Sequence, residues 1–145
     1  MLWYRCGMPS TRDDPSAGAA PAATTDELVR QWRELLDRHA RVTAGLERAL
    51  QDRHQLGVTE FEVLERLATL DHEQGRMQTL ADAVHLSQSA LSRLIGRLEA
   101  EGLVVRSICR DDRRGINACL TPEGRARYEA ALPTQRQVLR ELLQD

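Results

Sequence analysis

The sequence predicts a mainly α fold carrying one small β-hairpin. From Asp26 onward, apolar residues recur at helical spacing through most of the chain. The exception is the interval Leu103 to Thr121, where two β-prone runs flank Asp111-Asp112-Arg113-Arg114-Gly115. The 145 residues are 41% hydrophobic but only 3% aromatic. That is enough for one domain with a core of Leu, Val, Ile and Ala.

Residues 1–23 are rich in Ala, Pro, Gly, Ser and Asp and read as a disordered tail. A first long helix is expected from Asp26 to about Arg53, with Leu28, Trp32, Leu35, Leu36, His39, Val42, Leu46, Ala49 and Leu50 along one wide stripe. That stripe must be buried against its own domain, a partner chain, or both. Thr59 stands three residues before Glu62, a capping-box signature for a second helix with Phe61, Val63, Leu64 and Leu67 turned inward. Asp71 to Arg76 is polar and reads as a loop. A third helix is expected over about Thr79 to Val84, followed by a turn at His85-Leu86.

Ser87 is a good N-cap for a fourth helix reaching about Glu101, which Gly102 ends as a C′ glycine. Leu103 to Arg110 and Ile116 to Thr121 form the hairpin, with a five-residue loop. Pro122 at the first position after Thr121 opens a fifth helix, and Pro133 should kink or interrupt it.

Net charge is −2, which alone does not point to nucleic acid, but the distribution does. From Arg76 to Gly115 there are seven Arg against five Asp or Glu, a local excess of positive charge. All 20 basic residues are Arg, and genome composition accounts for that more readily than function does. The three cysteines, Cys6, Cys109 and Cys119, form no CxxC pair or Cys/His cluster, so neither a disulfide framework nor a zinc site is expected. No apolar run approaches the roughly 20 residues of a membrane span. The chain reads as cytoplasmic, with no membrane association, no metal and no cofactor.

The fourth helix has two unlike faces. Leu91, Leu94, Ile95 and Leu98 fall at i, i+3, i+4 and i+7 and share one side. Ser89, Ser92, Arg93 and Gly96 face the opposite way, with Gln88 and Arg97 on the flanks and no acid before Glu99. The major groove is about 12 Å wide and admits one helix. Phosphates repel acids, so an acid-free face suits it. Arg93 matches guanine O6 and N7, and Gln88 matches adenine N6 and N7. Ser89 and Ser92 can bond phosphate or base edges, and Gly96 permits close approach. The bland alternative is a solvated polar face that happens to lack acids; its placement between the third helix and an arginine-tipped hairpin argues against that. In the hairpin loop, Arg113 and Arg114 suit the negative potential of a narrow minor groove, and Asp112 can hold such an arginine extended.

The segment from about Thr59 to the end resembles the MarR family of winged helix-turn-helix transcription regulators. The matching pieces are TLADAVHLSQSALSRLIGRLEAEGLVVR, DDRRG and CLTPEGR, in that order. Within the family, GRMQTLADAV and DRRG look most like the branch that senses small aromatic compounds or urate. The resemblance implies a winged helix-turn-helix lobe over 59–121 within a domain spanning 24–145. It implies a homodimer built from helices at both ends, 26–54 and 122–145. It also implies binding to a pseudo-palindromic operator on double-stranded DNA, usually as a repressor that an aromatic or anionic effector releases. Gln88, Ser89, Ser92, Arg93 and Arg97 would meet the major groove, and Arg114, oriented by Asp112, the minor groove. His85 departs from the glycine common in such turns; if that position needs φ > 0, His is among the better replacements. Family members usually continue into a further helix where this chain stops, which would make the dimer interface smaller.

Trp32, His39 and Arg106 are candidates for an effector pocket, Arg106 facing an anion. The plainer reading makes Trp32 a core or dimer contact and pairs Arg106 with an acid such as Glu62. Cys109 and Cys119 could be cross-strand neighbours. The runner-up function is a winged-helix protein-interaction module that does not read DNA. No nucleophile–base pair, carboxylate pair, phosphate loop or metal cluster supports an enzyme.

Overall fold

The computed structural model describes residues 23–69, 74–108 and 115–144. The elements are α1 (Thr25–His54), α2 (Val58–Thr69), β1 (Gln74–Arg76), α3 (Met77–Ala83), α4 (Gln88–Ala100), β2 (Val104–Ile108), β3 (Ile116–Leu120) and α5 (Pro122–Leu143). This is the mainly helical, winged helix-turn-helix architecture that the sequence predicts. Apart from Ala23, the expected tail lies outside the described residues.

Thr24 caps α1 by accepting the Glu27 N–H on its hydroxyl, and Gln55 closes the helix in the left-handed region at φ 55°. The apolar stripe of α1 is split. Its last part is core, with Leu46 and Leu50 buried, whereas Leu28, Val29, Trp32, Leu35 and Leu36 are exposed. The antiparallel course of α5 explains the split. His54 Nε2 meets Thr134 Oγ1 at 2.8 Å, Gly45 lies against Leu142 and Val138, and Arg38 donates to the Leu143 carbonyl at 2.9 Å. Residues of α1 before Arg38 therefore run past the described end of α5. Trp32 is not a core residue of the single chain.

The cap of α2 corrects the sequence reading. The helix starts at Val58, so Thr59 lies inside it and Glu62 is not a capping residue. Glu60 performs that role: its Oε2 accepts the Gly57 N–H at 2.9 Å, while Glu47 accepts the Val58 N–H at 2.8 Å. Glu60 precedes Glu62 by two residues, so the capping register is shifted by half a turn. Phe61, Val63, Leu64 and Leu67 are buried as the spacing requires. Phe61 meets Tyr128 of α5 with ring centroids 5.5 Å apart.

Residues 74–76, read as the end of a loop, form β1 instead. This strand pairs antiparallel with β3, Gly75 opposite Ala118, so the sheet has three strands in the order β1-β3-β2. A three-residue strand of polar character leaves no periodicity to find; the free edge of β3 creates it. In the β2–β3 ladder Cys119 stands opposite Val105, and it faces Gln74 on the other side. Cys109, the expected cross-strand neighbour of Cys119, lies outside the described residues.

Helix α3 begins at Met77, two residues before the expected start. His85 adopts φ 55° in the turn to α4, and Gly102 adopts φ 75° after it. At Gly124 a side chain is impossible without movement: a Cβ there would lie 2.0 Å from the Leu103 carbonyl oxygen. Thr121 fastens the same corner. Its N–H donates to the Leu103 carbonyl, and its hydroxyl donates to the Gly102 carbonyl at 2.6 Å and accepts the Gly124 N–H at 3.0 Å. Pro133 does not interrupt α5, which runs unbroken from Pro122 to Leu143. The Pro133 ring is exposed, and neighbouring Thr134 anchors the helix to His54.

Candidate nucleic-acid interface

The α4 helix is fixed before it is exposed. Ser87 accepts the Ala90 N–H at 3.2 Å, and Leu91, Leu94, Ile95 and Leu98 seal one face into the core. The other face then has only one direction to point. Gln88, Ser89, Ser92, Arg93 and Arg97 are exposed, as the spacing predicts. A Cβ placed on Gly96 would meet nothing within 4 Å, so the ridge has a shallow point at that position.

Within this ridge the two arginines have unlike surroundings. The Arg93 side chain makes no hydrogen bond or ion pair with any described residue. Arg97 faces Glu60 of α2, Nε to Oε1 at 3.5 Å. The first acid of α4, Glu99, is turned away from the ridge toward β2. It accepts the Arg106 N–H at 2.9 Å and pairs with the Arg106 guanidinium at 3.2 Å. Arg106 also donates to the Ser92 carbonyl at 2.6 Å and to the Ser92 hydroxyl at 3.2 Å. The ridge thus presents donors and cations with no uncompensated carboxylate, the electrostatic condition for approaching a phosphate backbone.

Arg106 pairs with Glu99, not with Glu62. The reason is register: on β2 its side chain lies over α4, and Glu99 is the acid within reach. Arg106 lines a cleft of about 370 Å³ together with Arg76, Met77, Gln78, Gln88, Ser92, Gly115 and Ile116. Trp32 and His39 do not line it. His39 is exposed on α1 and reaches Thr43 of its own helix at 3.5 Å. The three effector candidates are thus not assembled in one pocket of the single chain. Arg113, Arg114 and Asp112, expected at the tip of the wing, lie outside the described residues; the described ladder ends at Ile108 opposite Ile116. Sequence reasoning missed Glu60, Arg76 and Gln78. Glu60 and Arg76 meet the site through residues of other elements, which only packing brings together.

Among the described residues no group of three or more His, Cys, Asp or Glu is placed to hold a metal ion. No helix is long and apolar enough to cross a membrane.

Comparison with known proteins gives a consistent picture. The MarR family model matches residues 56–116. AbsC, a MarR family transcriptional regulator from Streptomyces coelicolor, superposes with a TM-score of 0.76 at 32% identity, covering 85% of this chain and 82% of that one. Sco3205, another MarR family regulator of that organism, solved in complex with DNA, gives 0.76 at 29% identity over 83% and 77%. BpsR of Bordetella bronchiseptica, whose DNA binding is regulated by 6-hydroxynicotinic acid, gives 0.68 at 26% identity over 78% and 83%.

Proposed function

This chain belongs to the MarR family and is a DNA-binding transcriptional regulator; from that premise we propose that it acts as a homodimeric, effector-responsive repressor. The observation that carries the reading is the ridge of Gln88, Ser89, Ser92 and Arg93, exposed on a helix whose opposite side is buried leucine and isoleucine. In this reading the lobe 59–121 holds the duplex. Arg93 pairs with guanine, Gln88 with adenine, and Ser89, Ser92 and Arg97 with phosphate or base edges. Arg113 and Arg114 enter the minor groove, Asp112 orienting Arg114.

The segments 26–54 and 122–145 join two protomers. The exposed stripe Leu28, Trp32, Leu35 and Leu36 supports this part, since apolar side chains at that spacing lose solvent favourably when a second copy covers them. A small aromatic or anionic effector is the proposed release signal. BpsR, with its regulation by 6-hydroxynicotinic acid, is a relative that supports the class. The cleft shared by Arg106, Gln88 and Ser92 supplies a location in which an anion would compete directly with DNA.

Selection of bound fragments from a random duplex library tests the proposal. A two-fold-related motif should emerge, with half-sites about one helical turn, 34–36 Å, apart. Recovery of unrelated sequences would refute sequence-specific reading.

A further inference from the structure

Resting on the DNA-reading role of α4, we propose that Glu60 is a positioning residue that pre-sets Arg97 for the duplex. An acid beside a DNA-facing ridge is unfavourable by simple Coulomb reasoning, so its presence needs a compensating effect. Its geometry supplies one. The Glu60 side chain is only 17% exposed and its two carboxylate oxygens have separate tasks. Oε2 is fixed by the Gly57 N–H at the start of α2, and Oε1 faces Arg97 Nε at 3.5 Å.

Arginine presents five N–H donors in a rigid fork. Approach from the Nε side leaves both terminal nitrogens, which make no hydrogen bond to a described residue, for a phosphate or a guanine edge. The Arg97 side chain is 63% exposed, and Glu60 is its one ion-pair partner among the described residues. Glu60 itself is ordered by backbone and not by a second flexible chain, and Glu47 occupies the neighbouring Val58 N–H. That leaves Glu60 as the acid that faces Arg97. Ordering the side chain before binding removes part of the entropy loss on association.

This has a signature opposite to bulk electrostatics. Removing a negative charge near DNA should tighten binding, whereas removing a positioning acid should loosen specific binding alone. The test titrates wild type, Glu60→Gln, Arg97→Gln and the double variant on the selected operator and on a scrambled duplex. Gln can still accept the Gly57 N–H, so melting temperature should be unchanged. We expect Glu60→Gln to weaken operator binding about five-fold, to leave scrambled DNA equal or slightly tighter, and to have no further effect on top of Arg97→Gln. An equal loss in the Arg97→Gln background, or tighter binding to both duplexes, would overturn the proposal. Should Glu60→Gln lower the melting temperature, Glu60→Asp replaces it in the same cycle. The shorter side chain keeps the charge but draws it back from Arg97, so operator preference should fall in the Arg97 background and not in the Arg97→Gln background; unchanged preference would overturn the proposal. If wild type itself does not distinguish the duplexes, the DNA-reading role fails and takes this inference with it.

Discussion

Arg93 and Arg97 stand one turn apart on α4, and the difference between them illustrates how a residue's neighbours set its use. Arg97 faces the Glu60 carboxylate at 3.5 Å, whereas the Arg93 side chain meets no described partner. His85 shows the same dependence in the backbone. Its φ of 55° is one that β-branched side chains avoid. His85→Val should therefore cost about 1–3 kcal/mol in chemical denaturation, while His85→Gly should be neutral or stabilising by at most about 1 kcal/mol. A tolerated valine would show that the turn is not held there. Tyr128 sets a pH dependence. Burial, foremost, and the charge of Glu65 push its phenol above the ordinary value of 10.0. The fold favours the protonated form, so this contribution is intact below pH 10.0 and disappears as pH rises through the raised value. Denaturation of wild type across that window should show falling stability. Tyr128→Phe, keeping its ring against Phe61, should flatten the slope; an unchanged slope would place the titration elsewhere.

At the scale of elements, two glycines that look alike in sequence behave oppositely. A Cβ at Gly124 would sit 2.0 Å from the Leu103 oxygen, so Gly124→Ala should cost about 3 kcal/mol or more by forcing α5 off the sheet corner. Nothing lies within 4 Å of a Cβ at Gly96, so Gly96→Ala should stabilise the isolated protein by about 1 kcal/mol. A loss of operator affinity in the same variant would mark Gly96 as a close-approach point. The helix around Gly96 was legible because every signal agreed: Ser87 at the cap, leucines at helical spacing, Gly102 beyond the end. The start of α2 was not, because Thr59-to-Glu62 and Gly57-to-Glu60 compete within half a turn. Nor was β1, since Gln74–Arg76 becomes a strand only by pairing with β3. Of the candidate site, the exposure of Ser92 and Arg93 could be read from helical period alone. The Arg106–Glu99 and Arg97–Glu60 pairs could not, since each joins different elements whose approach is set by packing.

For the whole molecule, the exposed half of α1 is the feature that a single chain does not explain. Leu28, Trp32, Leu35 and Leu36 continue the stripe that buries Leu46 and Leu50, beyond the described end of α5. If a second copy covers them, Leu35→Glu should convert a dimer to a monomer by light scattering after gel filtration, leaving the melting of each lobe little changed. A wild-type monomer would refute the dimer. The most direct test of the α4 ridge as the reading element is fluorescence anisotropy of wild type and Arg93→Ala on operator and scrambled duplexes across several salt concentrations. We expect Arg93→Ala to cost about 1–3 kcal/mol on the operator and to relax preference at one base pair per half-site. Identical affinity of both proteins for both duplexes would contradict the account.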